Sequence, residues 1–109
     1  MKGTNLGELE ELIMLTVALL YDEAYGVAVM KEIKKRCNRS ITISTVHAAL
    51  ARLQSKGYVD SRYGEATSER GGRRKHLFRV TKAGQKVLEQ VKEQRNAIWS
   101  EIPSVAFNA

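Results

Sequence analysis

Apolar side chains return at Leu6, Leu9, Leu12, Ile13, Val17 and Leu20, the spacing of one helical face, and predict a first helix over residues 6–20. Glu8, Glu10 and Glu11 fall in its first turns, where carboxylates suit the positive end of the helix dipole. Met14, Leu15 and Leu19 widen the apolar surface beyond one stripe, so this helix needs cover on more than one side, and a second subunit can supply it. Tyr21 to Ala24 reads as a connection. A second helix follows over about residues 25–37, with Val27, Met30, Ile33 and Cys37 inward and Lys31, Lys34, Lys35 and Arg36 outward. Ile41-Thr42-Ile43 alternates β-branched residues and reads as a short edge strand paired with the later hairpin. The third helix starts near Ser44, a good N-cap, and stops at Gly57, a good C′ residue. Its inward face is Val46, Ala49, Leu50 and Leu53.

Beyond it, two β-like runs, Tyr58 to Tyr63 and Leu77 to Val80, bracket a polar stretch and predict a hairpin. Thr81 caps a fourth helix over about residues 82–102, whose apolar positions Val87, Leu88, Val91, Ile98, Trp99 and Ile102 are interrupted by Arg95. Pro103 ends it. The order is helix, helix, short strand, helix, hairpin, helix. That is an α+β chain, mostly α: a winged helix-turn-helix over residues 1–81, a C-terminal helix over 82–103 packed on the same domain, and a loose, flexible tail over 104–109.

Charge sharpens this picture. The formal net charge is +6 and the pI about 9.7, which favours an anionic partner. Residues 1–30 carry one lysine against five acids, residues 31–82 carry fourteen basic against four acidic residues, and residues 83–109 balance. Positive charge is thus confined to the second helix, the third helix and the hairpin. A single cysteine, Cys37, permits no internal disulfide and no cysteine-based zinc site, and it reads as a small core residue. The apolar run from Leu12 to Leu20 is too short to span a bilayer. A soluble, cytoplasmic protein with no cofactor and no metal is expected.

Two stretches carry the candidate chemistry. Arg70-Gly71-Gly72-Arg73-Arg74-Lys75-His76 holds four fixed positive charges in six residues around a glycine pair. Glycines permit close backbone approach, and arginine forks suit phosphate oxygens. The hairpin then acts as a wing on a nucleic-acid backbone, or is simply a solvated basic loop. In the third helix, the side opposite the core carries Ser44, Ala48, Ala51 and Ser55, flanked by His47 and Arg52, with Lys56 at the end. No acid occurs from Ile41 to Val59. Such a face enters a DNA major groove without steric or like-charge conflict; a helix packed on another protein would also use small residues. On the DNA reading, Arg70, Arg73, Arg74 and Lys75 contact phosphate, with Lys34 and Lys35 in support. Ser44, Thr45, His47 and Arg52 read bases or backbone, and the helix start at Tyr25-Gly26 offers N–H groups to another phosphate. No metal-ligand spacing, phosphate-binding loop or nucleophile elbow is present, and Cys37 and His47 share no evident pocket, so the chain does not read as an enzyme.

The residues also resemble the PadR-type transcriptional regulators over about residues 6–102. The likeness rests on Leu6-Gly7-Glu8-Leu9-Glu10, on Tyr25-Gly26-Val27-Ala28, and on Leu50-Ala51-Arg52-Leu53 running to Gly57-Tyr58-Val59. Its most specific part is the passage from Glu69 through the basic glycine stretch to Val80-Thr81-Lys82-Ala83-Gly84. The resemblance implies a homodimeric repressor on double-stranded operator DNA of two-fold character, with the first and last helices as dimerisation elements. The interface would then include Leu6, Leu9, Leu12, Ile13, Leu88, Val91, Ile98, Trp99 and Ile102. It further implies a compact member without a separate ligand domain. Trp99, the one tryptophan on an apolar helix stripe, reads as core or interface packing; the resemblance to ligand-responsive members offers the alternative that it lines a cavity for a small planar effector. One departure is Val46-His47-Ala48, where the family commonly reads L-Y-P; the docking mode carries over, but no base preference does. Two other readings share the fold: a protein-interaction module that docks an acidic partner, and a DNA binder without sequence preference.

Overall fold

Gly7 is extended and precedes α1 (Glu8–Leu20), donating its N–H to Glu10 Oε1 at 3.1 Å. In this computed structural model, which describes residues 6–66 and 74–108, α1 runs into a 3-10 turn at Tyr21–Glu23. α2 (Gly26–Cys37) ends where Asn38 adopts a left-handed backbone at φ 51°. Its buried side is Gly26, Val29 and Ile33, with Met30 half-buried. Val27 and Cys37, both expected inside, are exposed. The helix is turned one position from the expected phase because Gly26 itself is buried against α3.

The expected edge strand at Ile41 to Ile43 does not form. Thr42, rather than Ser44, caps α3 (Ile43–Ser55), accepting at Oγ1 from the Thr45 N–H at 3.1 Å. The alternation there has another cause: Ile41 and Ile43 flank the cap and pack against the core, Ile41 in the position of a hydrophobic staple. The sheet edge is met instead by the chain before α2, through a Tyr25–Leu77 bridge and a Phe78 N–H that donates to Ala24 O at 2.8 Å. α3 closes as expected. Gly57 turns left-handed at φ 81°, its N–H donates to Gln54 O, and the Tyr58 N–H donates to Leu53 O, the bonding of a Schellman end.

β1 (Val59–Ala66) and β2 (Arg74–Val80) pair antiparallel, Val59 opposite Val80 and Tyr63 opposite His76, with an irregular register between Tyr63 and Ala66. Thr81 then gathers three elements. Its N–H donates to Tyr58 O at 3.0 Å, its Oγ1 donates to Gly57 O at 2.7 Å and accepts from the Gly84 N–H at 3.0 Å. So α4 (Lys82–Glu101) starts locked to the end of α3.

The core lies where α1, α2 and α3 meet beneath the hairpin: Ile13, Met14, Val17, Val29, Ile33, Val46, Ala49, Leu50, Leu53, Val59 and Phe78. α4 meets it along its first half, where Gly84, Val87 and Val91 are buried and Leu88 packs against the core. From Lys92 to Glu101 the helix is exposed, and the molecule is 58 Å long with a radius of gyration of 16.5 Å. A compact domain of this size has a radius near ~13 Å. Ser104–Phe107, expected as a loose tail, form a 3-10 turn whose Phe107 ring lies 6.1 Å from that of Trp99.

Candidate nucleic-acid interface

Burial of Val46, Ala49, Leu50 and Leu53 fixes which side of α3 faces out. Ser44, His47, Ala48, Ala51, Arg52 and Ser55 are all exposed, as their spacing predicts. Thr45 is half-buried, and its hydroxyl accepts from Thr42 Oγ1 at 2.9 Å, so it serves the cap first. The resulting face is small at its centre and free of acids, with hydrogen-bonding groups at its edges.

Three of the expected DNA-contacting residues converge at one end of this face. The His47 imidazole lies against Gly26, occupying the space a Cβ would fill, with Cδ2 2.9 Å from that position. Any larger residue at position 26 would displace the ring. Next to Gly26, Tyr25 takes the Lys75 ammonium over its ring, 4.7 Å from the centroid, and Lys75 Nζ also lies 3.4 Å from Glu23 Oε1. The start of α2, the first half of α3 and the start of β2 therefore meet around Tyr25, His47 and Lys75. The Tyr25-Gly26 pair explains itself here: one residue supports the wing cation, the other makes room for the histidine.

At the other end of α3, Arg52 and Lys56 meet a group that the sequence reading assigned only to the helix dipole. Arg52 Nε donates to Glu10 Oε2 at 3.0 Å, and Lys56 Nζ donates to Glu10 Oε1 at 2.9 Å. Burial works to raise the Glu10 carboxyl, but hydrogen bonds from Lys56, Gly7 and Arg52 outweigh it and hold the group below its ordinary value. Nearby, Arg39 Nη1 donates to Glu8 Oε2 at 2.7 Å; that hydrogen bond lowers the Glu8 carboxyl and raises the Arg39 guanidinium.

On the wing, Arg74 and Arg62 are exposed. Tyr63, His76 and Phe78 form an aromatic ladder across the strands, Tyr63 stacked on His76 with centroids 4.6 Å apart. Arg70, Gly71, Gly72 and Arg73 lie outside the described residues. Lys34 and Lys35 are exposed at the far end of α2, where Lys34 Nζ donates to Asn38 Oδ1 at 3.0 Å.

The expected dimerisation residues divide three ways. Ile13 is 0% exposed and Val91 is buried; both are already covered by their own chain. Leu6, Leu9, Leu12, Leu88 and Ile102 are half-buried, and Ile98 and Trp99 are exposed at 66% and 65%. Leu15 and Leu19 are half exposed on α1. They were visible in sequence as the excess of apolar positions on that helix. Between α1 and α4 runs a groove of about 460 Å³, lined by Leu15, Leu88, Trp99, Glu11, Lys92 and Arg95 among others. Among the described residues, no group of three His, Cys, Asp or Glu side chains could hold a metal, and no helix is long and apolar enough to cross a membrane.

Residues 14–90 match the transcriptional regulator PadR-like family. No curated protein matches the chain. Among solved structures, a PadR-like transcription factor from Bacteroides fragilis superposes with a TM-score of 0.72 at 20% identity, over 93% of this chain and 89% of that one. A PadR family transcription regulator from Clostridium difficile gives 0.66 at 28% identity, covering 84% and 91%. A PadR family regulator from Eggerthella lenta gives 0.67 at 26% identity, covering 94% and 88%.

Proposed function

Because this chain belongs to the PadR-like family of transcriptional regulators, we propose that it is a dimeric, sequence-specific DNA-binding repressor that acts in the cytoplasm by occupying its operator. The observation that carries this reading is the exposed face of α3. Ser44, Ala48, Ala51 and Ser55 give it a low profile without acids, and His47 and Arg52 flank it with donors. A major groove admits such a helix, and bases are read there by side-chain donors. Ser44, His47 and Arg52 are the readers, with the Ala48 methyl suited to an apolar contact with a thymine methyl. Arg74 and Lys75 at the start of β2, with Arg70, Gly71, Gly72 and Arg73 preceding them in sequence, grip the flanking backbone. Tyr25 and Gly26 set a helix start beside them, and Lys34, Lys35 and Lys56 add positive potential. Thr45 supports the reading helix through its cap.

Two-fold operators follow from a dimer built on α1 and the exposed half of α4, where Leu15, Leu19, Ile98 and Trp99 present apolar surface. The groove beside Trp99 is large enough for a small planar effector. Hydroxyl-radical footprinting on DNA from upstream of the protein's own gene tests the reading. Two protected half-sites about 10 base pairs apart, or a multiple of that, are expected. Uniform protection at every position would instead indicate a binder without sequence preference. No protection at low salt would favour a protein-interaction module.

A further inference from the structure

Glu10 makes bonds that the start of α1 does not require. A carboxylate in a first helical turn is served by the local bond from the Gly7 N–H, 3.1 Å from Oε1. Its neighbours on that turn reach other elements, Glu8 to Arg39 and Glu11 to Arg95, and both keep more of their surface in water. The Glu10 side chain is only 9% exposed, yet it takes two cations from the end of α3, Arg52 at 3.0 Å and the C-cap Lys56 at 2.9 Å. Arg52 is held by its Nε, and among the described residues Glu10 is its one partner. The two terminal nitrogens of its fork stay available, on a side chain that is 55% exposed.

We propose that Glu10 is a positioning and specificity-determining residue for DNA recognition, aiming the Arg52 fork and cancelling one of the two positive charges at this end of α3. The inference rests on the DNA-binding reading above. A nearly buried carboxylate cannot surrender both cations to phosphate without being left uncompensated, so the pairs persist when DNA docks. Binding to arbitrary sequence depends mainly on net charge and counterion release. Binding to a chosen sequence adds directed hydrogen bonds to base edges. Glu10 weakens the first contribution and preserves the second.

The test compares the full-length protein with Glu10→Gln and Arg52→Ala, each titrated over a range of salt. The probes are a duplex selected by the unaltered protein from a random-sequence pool and a scrambled duplex of equal length. Glu10→Gln keeps the size of the side chain and removes its charge. It is expected to bind the scrambled duplex about threefold to tenfold more tightly at low salt, with the salt dependence steeper by about one ion. Its preference for the selected duplex should fall about tenfold as Arg52 loses its hold. Arg52→Ala is expected to lose a similar share of that preference, mainly by weakening the selected duplex.

A purely structural Glu10 would weaken both duplexes together and leave the salt dependence unchanged. That result, or unaltered behaviour from Glu10→Gln, overturns the proposal while DNA binding itself stands. Should Glu10→Gln fail to fold, Arg52→Ala decides, and an unchanged preference overturns the proposal. If the unaltered protein selects no duplex, the DNA reading fails first and takes this inference with it.

Discussion

Gly84 stands where a side chain has no room. A Cβ there would collide with the Tyr58 carbonyl oxygen and come within 2.9 Å of Val80 Cγ1 and 3.0 Å of Met14 Cε. Backbone oxygen cannot swing aside as a flexible side chain can, so Gly84→Ala must move α4 away from the hairpin. A loss of about 1–3 kcal/mol is expected, the usual cost of overpacking a tight contact, read from urea unfolding at constant slope. Gly57, at φ 81° with open space around its Cα, carries a different constraint, since alanine there is strained by backbone conformation alone. Glu10 is the third residue on which local structure turns. Its folded-state carboxyl lies below its ordinary value of 4.5, so its stabilisation is fully present above that value and is lost as pH falls through the lower folded value. Acid unfolding of Glu10→Gln is therefore expected to be less steep below about pH 4.5 than that of the unaltered protein, by circular dichroism. Equal steepness would mean that the two cations contribute nothing to holding Glu10 charged.

Among the elements, the proposed function divides the work of binding between α3 and the wing. Arg74→Ala is expected to weaken binding to all sequences alike and to flatten the salt dependence by about one ion, because phosphate contacts carry no sequence information. His47→Ala is expected to shift sequence preference by about fivefold or more at one base pair. Equal loss on preferred and scrambled DNA would remove His47 as a reader. α3 was also the element most legible in the sequence. Val46, Ala49, Leu50 and Leu53 repeat at helical spacing, and Gly57 marks the end, so pattern and turn chemistry agreed. α2 was less legible, because Val27 and Val29 are two residues apart and both apolar. The buried Gly26 beneath His47, which set the phase, leaves no hydrophobic signal. Ile41-Thr42-Ile43 misled for a related reason. Three alternating residues fit a strand, and only the tertiary bridge from Tyr25 to Leu77 shows that the sheet edge was already taken. Glu10 was hidden by its company: three acids in one turn all suit a helix dipole, and its partners lie 42 and 46 residues away.

At the scale of the whole molecule, the acidic first turn of α1 lies at the centre of the charge distribution that the sequence displayed in blocks. Its three carboxylates reach separate basic partners: Arg39 before α3, Arg52 and the C-cap Lys56 at the end of α3, and Arg95 on α4. The remaining positive charge is left on the reading helix, the hairpin and the outer side of α2. The exposed half of α4, beyond the reach of the single-chain core, gives the molecule its length and leaves Ile98 and Trp99 exposed, the surface the proposed dimer would cover. Fluorescence anisotropy most directly tests the central claim, that this surface reads DNA by sequence. The protein is titrated at two salt concentrations against duplex from upstream of its own gene and against the same duplex shuffled. Salt-dependent binding that prefers the upstream duplex by about 10³ or more is predicted. Absence of binding to either duplex at low salt would contradict the account.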